Sequence, residues 1–159
     1  MSRPHRLPGF SYLGPSRYFL TLCTHRRASA FRSPDVVQRT LLEFFRTSHY
    51  ASFAVLAYCF MPDHLHLLVE GTSAWSDLQA FVTVAKRCSG TAHAAIHGTP
   101  LWQEGYHERV LRPTDDPRAI ARYILENPVR AGLVQSPTAY PFLGSGLWSV
   151  AELLDSVSK

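Results

Sequence analysis

The sequence is poor in the residues that mark several classes of protein. Three cysteines stand far apart at positions 23, 59 and 88 of 159, and no Cys-x-x-Cys pair occurs. A disulfide framework and a cysteine-based zinc site are therefore not expected, and the cysteine usage favours a reducing compartment. The sequence contains no run of about 18 apolar residues that could cross a membrane. No apolar stretch follows the basic first six residues, so we expect no secretory signal.

Lysine is also scarce, so the positive charge of the chain comes almost entirely from arginine. Sixteen basic residues stand against twelve acidic ones for a net charge of +4, and only Lys86 and Lys159 are lysines. Residues 1–49 carry eight arginines and two acidic residues, a net charge of +6, whereas residues 50–159 have a net charge of −2. Arginine forms bidentate hydrogen bonds with phosphate and stacks on bases. This pattern indicates a nucleic-acid-binding protein, with a solvated arginine-rich surface as the alternative.

The remaining composition is that of one folded domain. At 46% hydrophobic and 12% aromatic residues, the chain can bury a core, and 159 residues would be cramped as two domains. Proline, glycine and arginine are concentrated in residues 1–17, which we expect to form a basic N-terminal arm. We expect the folded core over residues 18–134 and a C-terminal tail over residues 135–159.

The hydrophobic pattern predicts the order of strands and helices. Strands are expected at 18–24, 53–60, 64–70 and 101–112, and helices at 34–50, 77–96, 116–127 and 150–157. Ser76 is the expected N-cap of the second helix, and Gly105 is expected to form a bulge. This order predicts an α+β protein with a ferredoxin-like antiparallel sheet (βαββαβ) and an appended C-terminal helix that carries Tyr123. Many activities occur on this fold, so it does not identify one.

A His-Leu-His segment is the sharpest local feature. Residues i and i+2 of a strand point to the same face, so His64 and His66 project together while Leu65 points into the core. Two neutral imidazoles on one face are half of a metal site. Two half-exposed histidines on an amphipathic strand are the alternative interpretation.

The predicted helix at 116–127 has a polar side. Tyr123 and Asn127 are four residues apart and share a face, while Ile120, Ile124 and Leu125 are expected to pack inward. A tyrosine beside an amide can be a nucleophile beside a metal ligand. The alternative is an ordinary amphipathic tyrosine that covers the core.

Three stretches together resemble a known group of proteins. Residues 58–69 (YCFMPDHLHLLV) resemble the His-hydrophobic-His signature of the HUH single-strand endonucleases. Residues 101–112 (LWQEGYHERVLR) and 122–134 (RYILENPVRAGLV) resemble the segment before the catalytic helix and the tyrosine helix of their single-tyrosine transposases. The branch that fits best is the REP-associated tyrosine transposases, and the resemblance spans about residues 3–148.

That resemblance implies a ferredoxin-like core with an HUH active site. His64 and His66 match the two metal-binding histidines, and Tyr123 matches the nucleophile. Asn127 matches the polar position that completes the metal site, where related insertion-sequence transposases often carry the longer glutamine. Asp63 is expected to support the histidines rather than to bind the metal itself. The implied cofactor is a divalent metal ion, Mg²⁺ or Mn²⁺.

The resemblance also implies a reaction and a partner. The expected activity is nicking and joining of single-stranded DNA beside hairpin-forming palindromes, through a 5′-phosphotyrosine, by a cytoplasmic, nucleoid-associated bacterial protein that is a monomer or a homodimer. The candidate DNA-binding residues are Arg3, Arg6, Arg17, Arg26, Arg27, Lys86, Arg87, Arg112 and Arg130. Tyr12, Trp102 and Tyr106 are candidates for stacking on unpaired bases.

Two other functions fit parts of the sequence. A ferredoxin-like nucleic-acid-binding module without catalysis would need neither the histidine pair nor Tyr123. A histidine-triad phosphate hydrolase would need a further histidine at position 68, which is Leu68.

Overall fold

The fold is built on one antiparallel sheet in the residues that the computed structural model describes, 7–155. Its strands lie in the order β4-β1-β3-β2-β5. They are β1 (Arg17–Cys23), β2 (Phe53–Met61), β3 (His64–Gly71), β4 (His107–Val110) and β5 (Leu143–Gly144). The helices are α1 (Pro34–Tyr50), α2 (Leu78–His97), α3 (Pro117–Leu125), α4 (Asn127–Arg130) and α5 (Val150–Asp155). The predicted ferredoxin-like α+β fold is confirmed, since the first four strands and two helices follow the βαββαβ order.

The sheet is covered on both faces, and each face has its own core. On one face, Leu65, Leu67 and Val69 of β3 pack in a cluster that includes Phe44 of α1 and Phe81 of α2. On the other face, Leu68 packs with Ala121, Ile124 and Leu125 of α3, and Leu153 of α5 belongs to the same cluster. Because strand side chains alternate between faces, β3 serves both cores.

Helix α2 begins one residue later than the sequence predicts. Its N-cap is Asp77, whose carboxylate accepts a hydrogen bond from the Ala80 N–H at 3.1 Å. The prediction of Ser76 as the cap is therefore wrong. Ser76 is buried, and its hydroxyl donates to the Ser52 carbonyl at 2.5 Å, so it joins the α2 entry loop to the start of β2.

The predicted strand at 101–112 is much shorter in the structure. Only His107–Val110 forms β4, paired with β1, and Trp102 makes an isolated bridge with Thr24. Gly105 is not a bulge within a strand, because it lies in a bend at φ +79° that separates Trp102 from β4.

Part of the predicted N-terminal arm packs on the body of the protein. Tyr12 is buried in the core, and its carbonyl accepts from the Leu78 N–H at 3.1 Å. The Gly14 N–H donates to the Ser76 carbonyl at 2.8 Å, and β1 begins at Arg17. Arg3 and Arg6 lie outside the described residues.

The C-terminal segment contributes a strand that the sequence pattern did not predict. The two residues of β5 pair with Tyr58 and Cys59 of β2 and extend the sheet by one strand. The Tyr140 hydroxyl donates to the Phe60 carbonyl, which ties this segment to the same strand. The helix predicted at 150–157 is present as α5 up to Asp155. None of the described helices is both long and apolar enough to span a membrane.

Two glycines allow a matched test of this packing. A Cβ on Gly71 would lie 2.1 Å from the Gly14 carbonyl oxygen, whereas one on Gly90, inside α2, would meet nothing closer than 3.7 Å. We expect Gly71→Ala to lower the free energy of unfolding by about 1–3 kcal/mol, because the N-terminal segment must move off the sheet. Gly90→Ala should raise it by about 0.5–1 kcal/mol, because alanine favours the helix. Urea denaturation measures both, and equal effects would contradict the packing of residues 12–16.

Candidate active site

The two histidines of β3 lie on the face of the sheet that α3 covers. Their strand neighbours Leu65 and Leu67 point into the opposite core, so alternation directs His64 and His66 toward the α3 side. The two imidazole rings are 4.7 Å apart between centroids and nearly perpendicular. The described structure therefore brings the predicted pair together on one face.

Both histidines use the same ring nitrogen for a supporting hydrogen bond. His66 Nδ1 lies 3.0 Å from the Thr21 hydroxyl on β1, and His64 Nδ1 lies 2.7 Å from Asp63 Oδ1. Because Asp63 can only accept when ionised, His64 is the donor, and its Nε2 is left with a lone pair. The two Nε2 atoms are thus the ones that can meet a ligand. Thr21 has no motif that reveals it in the sequence, since only the pairing of β1 with β3 sets it opposite His66.

The charge state of His66 suits a metal ligand. Burial, His64 and the positive charge of Arg130 lower the pKa of His66 to about 4. A neutral imidazole is the form that coordinates a cation. His66 is therefore ready to act as a ligand at neutral pH without losing a proton first.

Asp63 is itself held by an arginine. Arg27 Nε donates to Asp63 Oδ2 at 2.9 Å, while the other carboxylate oxygen faces His64. Although burial raises the pKa of Asp63, the hydrogen bonds from His64 and Arg27 and their charges hold it below its ordinary value. Arg26 and Arg27 have φ of +53° and +54°, which costs energy for residues with a Cβ. The turn after β1 is thus strained in the conformation that delivers Arg27 to Asp63.

The tyrosine helix buries one side and exposes the other. Ala121, Ile124 and Leu125 are fully buried against the sheet, whereas the Tyr123 side chain is 57% exposed. Asp116 caps the helix by accepting from the Arg118 N–H at 2.9 Å. Tyr123 is therefore presented to solvent by a helix that is firmly packed on the same face as the histidines.

Asn127 does not end the tyrosine helix, as the sequence pattern suggested, but begins the next one. Helix α3 stops at Leu125, and Asn127 is the first residue of α4. Asn127 Oδ1 accepts from Arg130 Nη2 at 3.2 Å, and the Arg130 guanidinium stacks 3.7 Å from the centre of the Tyr123 ring. Since the charge of Arg130 also acts on His66, this arginine links the tyrosine and the asparagine to the histidine pair.

The donor atoms fit a divalent cation. In residues 7–155, no three His, Cys, Asp or Glu side chains are grouped so that they could hold a metal. A metal held by His64 and His66 would need a further ligand of another residue type, for which the amide oxygen of Asn127 is a candidate. His64, His66 and Asn127 would together supply two imidazole nitrogens and one amide oxygen, an uncharged set that suits Mn²⁺ better than Mg²⁺.

The predicted DNA-binding residues that the structure describes do not form one continuous patch. Arg26 and Arg27 follow β1 near Asp63, and Arg130 lies at Tyr123. Arg17 pairs with Glu70 at 3.0 Å, at the end of β3 opposite His64. Arg112 is exposed just after β4 and lines an open groove with Leu7, Phe10 and Arg109, among others. Arg87 is exposed on α2, on the other face of the sheet.

Three predicted contacts with DNA are not supported by the geometry. Lys86 is half-buried, and its ammonium donates to the carbonyls of Gln103 and Gly105 at 2.9 and 2.6 Å, while burial lowers its pKa. It therefore stabilises the loop before β4. Tyr12 is buried in the core, so its ring is not open to a base. The partly buried Trp102 indole packs on Phe31 and Phe44 and donates to Ser89, which gives it a structural role.

Lys86 and its neighbour Arg87 provide a test of this assignment. We expect Lys86→Met to lower the free energy of unfolding by about 1–3 kcal/mol, because two loop carbonyls lose their donor. Arg87→Met, at the exposed next position, should change it by less than about 0.5 kcal/mol. The salt dependence of DNA binding should be unaltered by Lys86→Met, and should fall by about one unit for Arg87→Met if Arg87 contacts phosphate. A stable Lys86→Met protein with a reduced salt slope would restore Lys86 to the DNA surface.

Comparison with known sequences agrees with this geometry. The family model described as "Transposase IS200 like" matches residues 15–127. A Haemophilus influenzae protein assigned as a REP-associated tyrosine transposase is 24% identical over 136 residues, which cover 79% of this chain and 77% of that protein.

Two solved structures share the fold. The structure of a REP-associated tyrosine transposase bound to a REP hairpin matches with a TM-score of 0.73 and 23% identity, over 90% of this chain and 82% of that chain. A Deinococcus radiodurans R1 protein assigned as a transposase matches with a TM-score of 0.52 and 22% identity, over 77% of this chain and 96% of that chain. The resemblance indicated by the sequence motifs is thereby confirmed. Because the family model covers well over half of its length, this chain belongs to the IS200-like transposase family.

Proposed function

We propose that this transposase nicks and rejoins single-stranded DNA beside hairpin-forming palindromes, with Tyr123 as the nucleophile. The observation that carries the proposal is the association of three features on one sheet face. These are the His64–His66 pair with both Nδ1 atoms engaged, the exposed Tyr123 ring, and the Arg130 guanidinium that contacts Tyr123 and acts on His66. The fold match to a relative solved with a REP hairpin supports hairpin DNA as the partner.

The tyrosine supplies the covalent step. The Tyr123 hydroxyl oxygen attacks the phosphorus of a phosphodiester and loses its proton, while the bond from phosphorus to the 3′ oxygen breaks and that oxygen takes up a proton. The products are a 5′-phosphotyrosine and a free 3′-hydroxyl. Since the phosphotyrosine is still a phosphodiester, a 3′-hydroxyl can attack it and join strands without ATP. The exposure of Tyr123 suits attack on a substrate that is held at the surface.

The polar residues around Tyr123 have separate proposed roles in binding the metal, orienting His64 and holding the DNA phosphates. A divalent ion, when bound by His64, His66 and Asn127, supplies positive charge to the scissile phosphate. Asp63 and Arg27 keep His64 in one orientation and one tautomer. The guanidinium of Arg130 lies where it can bind a phosphate oxygen beside the Tyr123 ring. Arg26 and Arg112 are exposed and can hold the DNA backbone on either side.

The other two functions account for less of the structure. A module that only binds nucleic acid has no use for a strained turn that fixes a histidine tautomer through Arg27 and Asp63. A histidine-triad hydrolase would need its third histidine at position 68, but Leu68 is fully buried in the core beneath α3.

Tyr123 is tested by trapping the covalent intermediate. We expect Tyr123→Phe to lower formation of a protein–DNA adduct by at least about a thousandfold, because phenylalanine lacks the attacking oxygen. The assay incubates the protein with a DNA hairpin that carries a single-stranded 5′ flank and resolves adducts on a denaturing gel.

Tyr50 provides the control for this experiment. It lies at the end of α1 and its side chain is 82% exposed, more than that of Tyr123. Tyr50→Phe should form the adduct at the wild-type rate. An adduct that persists in Tyr123→Phe and disappears in another tyrosine variant would assign the nucleophile elsewhere.

The metal requirement is tested by removal and replacement. We expect EDTA to abolish adduct formation, and Mn²⁺ to restore it at a lower concentration than Mg²⁺, because imidazole is a better ligand for Mn²⁺. Hairpin binding, measured by gel shift, should weaken in EDTA but remain detectable, because arginines supply most of the phosphate contacts. Cleavage that is unaffected by EDTA would contradict a metal role for His64 and His66.

A further inference from the structure

Arg130 contacts several residues of the candidate active site, and no motif in the sequence predicts these contacts. Its Nη2 donates to the Tyr123 carbonyl at 2.6 Å and to Asn127 Oδ1 at 3.2 Å, and its guanidinium lies 3.7 Å from the centre of the Tyr123 ring. Nη1 lies 3.9 Å from Glu126 Oε2. The junction between α3 and α4 allows one side chain to reach residues three, four and seven positions before it. In this arrangement the amide oxygen suited to a metal is hydrogen-bonded to a cation.

The contact with Asn127 puts positive charge at a proposed ligand atom. Arg130 Nη2 donates to Asn127 Oδ1 at 3.2 Å, so one lone pair of that oxygen is engaged and the guanidinium charge lies beside it. A divalent cation bound to the same oxygen would be repelled by that charge. The free protein thus holds a positive charge where Asn127 would bind a metal.

Binding of a DNA phosphate would remove this unfavourable effect of Arg130 on metal binding. The Arg130 side chain is partly exposed, so its guanidinium can turn to a phosphate oxygen, to which it forms stronger bonds than to an amide. The turn would release Asn127 Oδ1, and the phosphate charge would offset that of the guanidinium. Each change favours a cation at His64 and His66.

We propose that Arg130 couples metal binding to DNA binding, by engaging Asn127 and Tyr123 in the free protein and the substrate phosphate in the complex. This inference rests on the proposed function, because it assumes that His64, His66 and Asn127 hold the metal. Linkage requires the effect to be mutual, so DNA raises metal affinity by the same factor by which metal raises DNA affinity. We expect a factor of about 5–150, the usual range for such coupling.

The experiment measures Mn²⁺ affinity directly, without cleavage. Titrations followed by the EPR signal of free Mn²⁺ use the full chain with Tyr123→Phe, which keeps the ring that Arg130 stacks on. Each titration is done with and without a hairpin that carries a single-stranded flank. We expect Mn²⁺ to bind about 5–150-fold more tightly with DNA. Arg130→Met, added to this background, should bind Mn²⁺ more tightly than its parent without DNA, and the effect of DNA should fall to less than about threefold.

Two further variants separate a specific role from a structural one. Arg118, on α3, also stacks on an aromatic ring, that of Trp148 at 5.3 Å, but its guanidinium forms no hydrogen bond with Asn127 in the described structure. Arg118→Met should therefore leave the coupling unchanged. Arg130→Lys keeps the charge without the planar fork, so it should keep weak Mn²⁺ binding in the absence of DNA and lose part of the coupling.

The outcomes distinguish this inference from the function on which it rests. If Arg130→Met leaves both affinities unchanged, or weakens Mn²⁺ binding without DNA, the coupling role is wrong while the metal site stands. If Mn²⁺ binding survives His64→Ala combined with His66→Ala, the metal site itself is wrong, and the inference fails with it. Failure of wild-type protein to form any adduct would overturn the proposed nucleophile independently of both.

Discussion

The pairing of β3 with both of its neighbours is the constraint on which the rest of the protein depends. As the central strand, β3 must be buried on both faces, and its alternating side chains supply a core to each. Polar side chains are accommodated on β3 only near its ends, and His64 and His66 lie at its first residues. The histidines are thus built into the central strand of the sheet, so their spacing and common direction follow from its backbone.

The hydrogen bonds behind the histidines turn this position into a chemical site. Thr21 reaches His66 because β1 and β3 pair in register, and Asp63 reaches His64 because it is the adjacent residue in the turn. Arg27 completes the arrangement from a strained turn, in which the Thr24 hydroxyl donates to the Ala28 carbonyl at 2.7 Å and also lies 3.0 Å from the Asp63 carbonyl. Backbone strain of this kind persists where the surrounding contacts stabilise it. Here the strained turn holds the Arg27 guanidinium against Asp63, which in turn accepts a hydrogen bond from His64.

The tyrosine helix is held by its buried side, which packs on the sheet, and by the C-terminal segment. Ala121, Ile124 and Leu125 pack on the sheet, and Trp148 and Leu153 from the last part of the described chain contribute to the same core. The predicted C-terminal tail therefore stabilises the position of Tyr123. Since one surface carries the histidines, the tyrosine and Arg130, the proposed binding of substrate and the proposed chemistry would use the same few side chains.

Short-range patterns in the sequence were sufficient for most of the fold. Apolar alternation identified β3, three-to-four periodicity identified α1, α2 and α3, and the order of these elements was enough for the ferredoxin-like sheet. The predictions failed where a residue's role depends on distant neighbours. The residue Ser76 looks like a cap but bonds to Ser52, the strand predicted at 101–112 is interrupted at Gly105, and β5 is too short to have a periodicity of its own.

The same distinction between local patterns and distant contacts applies to the candidate site. The sequence by itself determined that His64 and His66 share a face, because spacing along a strand sets direction within one element. The same reasoning did not extend to Tyr123 and Asn127, because the helix is interrupted between α3 and α4. Only the tertiary structure decided that the two groups share a face of the sheet, that Thr21 and Arg27 support the histidines, and that Lys86 holds a loop. Only the tertiary structure, too, brought the Arg130 guanidinium onto the Tyr123 ring and the Asn127 amide. These contacts join separate elements, and the physical reason is that packing and strand register, rather than local periodicity, set distances between elements.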